Sequence, residues 1–252
     1  MHRQTAGTAS AVATNLESKM PYVQLPQNHV PATFEHLYFP HFGQIQNCRV
    51  ATVGINCGTS EGRYDRCGLR LAGFDVGMTS AQAYAAVPEL DSSPNGYFGT
   101  LANLYGFWSH FTCGGEPAAN PLHRDFYANG LLAHVDVTPW ATRVRWSDVP
   151  TGTRADLLAL GQPVLAATLA GAPHLRCLAV RGSSAAKVLA QACGAPEPQW
   201  HAIPADPRYR VAEFMIVSNG RDIPVVAINA FRDISQIAAA HVAALVTAHL
   251  EP

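Results

Sequence analysis

Two side-chain amides, Asn56 and Asn229, stand where chemistry is usually found in an α/β chain. Asn56 lies in Gly54-Ile55-Asn56-Cys57-Gly58, which closes the short β-branched run begun at Arg49. Asn229 opens Asn229-Ala230-Phe231, directly after the apolar run 223–228. Neither amide accepts a proton at neutral pH. Either can orient a water molecule or hold a developing charge. Asp136-Val137-Thr138-Pro139 and Gly182-Ser183-Ser184 close two further apolar runs in the same way. An apolar run that stops at a turn reads as a buried strand delivering a loop. Ligands of open α/β sheets bind beyond the carboxyl ends of such strands.

The elements that must position these loops follow from periodicity. Strands are expected at 49–54, 131–137 and 175–180, and again at 211–218 and 223–228 around Asn219-Gly220, the strongest hairpin signal in the chain. Helices are expected at 79–87, opened by a capping-box spacing from Thr79 to Gln82, and at 151–170, 185–193 and 235–250. Pro163 predicts a kink or a break in the helix 151–170, and Gly194 ends the helix 185–193. The aromatic stripe from Tyr97 to Phe111 reads as core. Strands alternating with helices predict one α/β domain over residues 45–252, with a mainly parallel central sheet flanked by helices. Residues 1–44, rich in proline and aromatics toward their end, read as an irregular N-terminal arm.

Composition limits the function classes. Of the 252 residues 48% are hydrophobic and 14% charged, enough apolar material for a sizeable core. A formal net charge of −1 gives no whole-protein attraction to nucleic acid or to an anionic membrane. The six cysteines (Cys48, Cys57, Cys67, Cys113, Cys177 and Cys193) form no C-x-x-C pair. No metal or cofactor is therefore expected, and reduced thiols in a cytoplasmic protein are the default. The absence of a long apolar run predicts no membrane span.

Gly54-Ile-Asn-Cys-Gly58 resembles the Gly-Ile-Asn-Pro-Gly motif of the uracil-DNA glycosylase superfamily, in its mismatch-specific and single-strand-selective branches. Asn229-Ala-Phe231 occupies the place of that family's later motif, after a strand and before the last helix. Leu178 to Ala186 resembles its third strand and following helix. Cys57 stands where the family has Pro, the His-Pro-Ser triplet is absent, and the cysteine pattern of the iron–sulfur branches is missing. The resemblance implies a three-layer α/β sandwich that hydrolyses the N-glycosidic bond of a flipped, damaged base in DNA repair. It implies that Asn56 positions the water and that Asn229 hydrogen-bonds the departing base. Gly54, Ile55, Cys57, Gly58 and Ser183 would line the base pocket, and Tyr64 or Phe107 would stack on the base. Arg63, Arg66 and Arg232 would hold phosphates, with DNA, a nucleobase or a nucleotide as partner.

Two other classes stay open. A non-catalytic member of the fold would bind a nucleotide or a partner in the same cleft. A serine hydrolase would use Ser184, at a loosened nucleophile elbow, with Asp206 or Asp222 and then His241. A weaker nucleophile is Cys57, with His134 as its conceivable neighbour in space.

Overall fold

A computed structural model of the chain describes residues 41–42, 44–56, 132–139, 146–230 and 234–250. The strands are β1 (His41–Phe42), β2 (Val50–Gly54), β3 (Leu132–Asp136), β4 (Cys177–Arg181), β5 (His201–Ile203), β6 (Asp206–Ser218) and β7 (Arg221–Ile228). The helices are α1 (Thr151–Ala170), α2 (Ser183–Ala192) and α3 (Gln236–Ala248), with a 3-10 turn at Trp146–Asp148. All seven strands form one sheet in the order β1-β3-β2-β4-β7-β6-β5.

The fold is α/β, but the sheet is mixed rather than mainly parallel. β3, β2, β4 and β7 run parallel at its centre. β1 is antiparallel to β3 on one flank, and β6 and β5 are antiparallel on the other. The hairpin accounts for one reversal. Asn219 and Gly220 both have positive φ, 51° and 73°, the pattern of a turn whose twist suits two paired strands. The short strand β5 before β6 carries too little periodicity to be seen in sequence. Residues 41–42, at the end of the expected arm, pair with β3 in the sheet.

Alternation assigns the two faces. Ala51, Val53, Ala133, Val135, Leu178 and Val180 join Leu165 and Leu169 of α1 and Ala185, Ala186 and Leu189 of α2 in one apolar core. Ala212 and Ile216 of β6 and Ala227 of β7 share that face. Glu213 points the other way and pairs with His249, just past the end of α3, so α3 covers the opposite face of β6 and β7. β2 and β3 are buried along their whole length, as parallel strands covered on both sides must be.

α1 runs unbroken through Pro163, against the expected kink or break. Pro163 faces solvent, while Leu157, Val164, Leu165 and Leu169 hold both halves of the helix to the sheet. Its C-terminal end is held from β7. The Arg221 guanidinium donates to the carbonyls of Leu169, Ala172 and Pro173 at 2.9–3.0 Å. Ser235 caps α3, accepting from the Ala238 N–H at 3.1 Å. The expected helix at 79–87, the aromatic stripe and residues 1–40 lie outside the described residues.

Candidate functional site

Because β3, β2, β4 and β7 are parallel, their carboxyl ends share one edge of the sheet. Along that edge lie Asp136 to Thr138, Gly54 to Asn56, Gly182 with Ser183, and Asn229. The ladder continues past the β2 and β3 ends, with Val137 N–H donating to Gly54 O at 3.0 Å and Thr138 N–H to Ile55 O at 2.8 Å. The two amides identified in the sequence thus stand at the same edge. Only β4 separates their strands, so the strand axes are about 10 Å apart.

The most polar part of the edge lies on β2 and β3. Thr52, His134 and Asp136 are 0%, 1% and 4% exposed in strands otherwise lined with aliphatic residues. Thr52 Oγ1 lies 2.7 Å from His134 Nδ1, and His134 Nε2 lies 3.3 Å from Asp136 Oδ1. The register makes this row. Thr52 is opposite His134, Gly54 is opposite Asp136, and residues two apart on a strand share a face. Gly54 is glycine for a reason of space. A Cβ there would sit 2.5 Å from Asp136 Oδ1 and 3.0 Å from His134 Nε2. Buried ionisable groups are costly unless paired, and such clusters concentrate at functional sites. The sequence signal that finds this row is His-x-Asp within an apolar strand, set against Thr-x-Gly in its neighbour.

The β4 end is a strand–glycine–helix turn. Gly182 has φ 92°, which only glycine adopts readily, and its N–H donates to Ile228 O at 2.8 Å. Ser183 and Ser184 follow, both exposed at the start of α2. Thr138 Oγ1 is buried at the same edge with no hydrogen-bond partner among the described residues.

The predicted residues fare differently. Gly54 and the partly buried Asn56 lie at the edge, whereas Ile55 packs against the apolar core. Asn229 is tied to β6. Its Oδ1 accepts from the Arg210 N–H at 2.9 Å, and its own N–H donates to Arg210 O at 3.0 Å. Nδ2 is therefore the side-chain group it has left for a ligand. Cys57, Gly58, Tyr64, Phe107, Arg63, Arg66 and Arg232 lie outside the described residues.

The hydrolase constellation does not come together. Ser184 is on α2 and His241 on α3, and the sheet lies between those helices. Asp222 pairs with Val217 at the opposite edge of the sheet. Asp206 is engaged elsewhere. Arg208 holds it through two bonds of 2.8 and 2.9 Å, and the Ser235 hydroxyl donates to it at 2.6 Å. These bonds, Arg208 first and Ser235 second, lower its carboxyl to about 2.

Burial raises the thiols of Cys48 and Cys177 to about 12 and that of Cys193 to about 11, so none is a nucleophile near neutral pH. Among the described residues, no group of three or more His, Cys, Asp or Glu is arranged to hold a metal ion. Nor is any described helix long and apolar enough to cross a membrane. No family model and no curated protein sequence matches the chain.

Proposed function

We propose that the chain is a glycosylase of the uracil-DNA glycosylase type, working at the carboxyl edge of its four parallel strands. The observation that carries this is the shared edge itself, where Asn56 and Asn229, 173 positions apart in the chain, flank the end of β4. A base flipped from DNA enters between them. Asn56 holds a water against the anomeric carbon. The C–N bond breaks, the base leaves with the bonding electrons, and the water oxygen bonds to the sugar while its proton passes, through solvent, to the anionic base that has left. Asn229 Nδ2 donates to the base oxygen on which negative charge develops. Asp136, beside Gly54, supplies buried carboxylate charge near a sugar that becomes cationic in the transition state.

The test is abasic-site formation on oligonucleotides carrying uracil, hypoxanthine or a mismatch, with protein in excess. Strand scission by alkali that disappears in Asn56→Ala is the expected result. No abasic site on any substrate overturns the proposal. One observation favours a second reading, in which the fold binds a nucleotide without cleaving it: Arg210 holds Asn229 through both its Oδ1 and its backbone N–H, a structural role in the β6–β7 pairing. Saturable nucleotide binding without abasic sites would select that reading.

A further inference from the structure

β6 is longer than either of its neighbours. β7 covers one of its edges from Val211 to Ser218. β5 covers the other only as far as Val211, so among the described residues no strand pairs with the outer edge of residues 212–218. The hairpin says which backbone groups point outward. A two-residue turn makes Ser218 and Arg221 a mutually bonded pair, and bonded pairs then alternate along the ladder. Ile216, Phe214 and Ala212 bond to β7, while Glu213, Met215 and Val217 turn their N–H and C=O groups outward. Two details agree. Asn229 N–H bonds to Arg210, an even number of residues from Ser218. Pro224, which has no N–H to give, stands opposite Met215.

The same three residues are exposed on the face that carries α3: Glu213 49%, Met215 46% and Val217 62%. Natural edge strands are usually blunted by Pro, Lys or a bulge. Residues 212–218 contain neither Pro nor Lys, and their pairing with β7 shows no register shift.

We propose that two copies of the chain join edge to edge through β6, antiparallel about a two-fold axis at Met215. The sequence of the edge complements itself in that register. Met215 meets Met215, and Glu213 of each copy lies opposite Val217 of the other. All three outward residues are used, in about six interchain hydrogen bonds. Centring the axis on Glu213 would oppose two carboxylates, and centring it on Val217 would run the strand into the turn. The apolar side chains of Met215 and Val217 form one strip across the axis.

Sedimentation velocity on the full chain tests this over a concentration series. The expected species has twice the 27.0 kDa of one chain. Met215→Lys, which sets two ammonium groups against each other on the axis, is expected to give a monomer that still unfolds cooperatively, with a Tm that no longer rises with protein concentration. Val217→Lys, which places Lys opposite Glu213, is expected to keep the dimer. A wild-type chain that stays monomeric into the hundred-micromolar range overturns the proposal. So does a Met215→Lys chain that still dimerises, or a Val217→Lys chain that does not.

Discussion

A single methyl group at Gly54 probes the geometry of the buried Thr52–His134–Asp136 row. In Gly54→Ala the new Cβ falls 2.5 Å from Asp136 Oδ1 and 3.0 Å from His134 Nε2, where ordinary contact begins at 3.4 Å. The carboxylate must retreat by about 0.9 Å, the difference between 3.4 and 2.5 Å. It is 4% exposed and its partner imidazole 1%, so there is no solvent to retreat into. Overpacking of this kind costs about 1–3 kcal/mol, and stretching a buried polar pair adds about 1–2 kcal/mol. The expected loss is about 3 kcal/mol, or about 6–12 °C in Tm for a chain of this length. Urea unfolding followed by circular dichroism measures it. Gly152→Ala, at a helical glycine with nothing within 4 Å of its would-be Cβ, is the control and is expected to stabilise by about 0.5 kcal/mol. In a double-mutant cycle with Asp136→Ala, the penalty at Gly54 should shrink by at least 1 kcal/mol, because the atom it collides with is gone. A Gly54→Ala loss under about 1 kcal/mol, or one that Asp136→Ala leaves unchanged, would refute the reasoning.

Substitutions at three other positions separate structural from chemical roles. Arg221→Ala removes the donors to three carbonyls at the end of α1 and is expected to cost about 2 kcal/mol in urea unfolding, with Arg221→Lys recovering only part of it. Asp206 has a folded carboxyl at about 2, below the ordinary value of 3.8, so its contribution is complete above pH 4 and is lost as pH falls toward 2. Asp206→Asn should flatten that part of the acid limb in melting scans. Asn229→Asp keeps the oxygen that accepts from Arg210 and discards the Nδ2 donor. It is expected to melt within about 0.5 kcal/mol of wild type while abasic-site formation falls about 100-fold, whereas Asn229→Ala should lose about 1 kcal/mol of stability as well.

The central strands were legible because the runs at 50–54, 132–136 and 177–181 are buried almost throughout, so most of their residues are apolar, with Thr52, His134, Asp136 and Arg181 the exceptions. The hairpin was legible because Asn219-Gly220 is local chemistry that needs no tertiary context. β1 and β5, of two and three residues, carry no period to detect. The unbroken α1 was missed because Pro163 argues locally for a break, while the contacts that hold the helix together come from the sheet. The edge positions of Asn56 and Asn229 followed from strand order. The bond from the Arg210 N–H to Asn229 did not, because the antiparallel pairing of β6 on β7 sets it. The His134–Asp136 pair depends on Gly54 lying directly across from Asp136, and register across distant segments is not written in either segment alone.

That register has a kinetic side. Thr52 and His134 touch across 82 positions of chain, while β6 and β7 close through two residues. A hairpin zips in about 1–10 μs, whereas joining β2 to β3 must first overcome the closure entropy of the long stretch of chain between them. The half of the sheet built from β6 and β7 is therefore expected to assemble early, and the polar row beside Gly54 to consolidate late. Damage to that row should then quicken unfolding and leave the refolding rate nearly untouched.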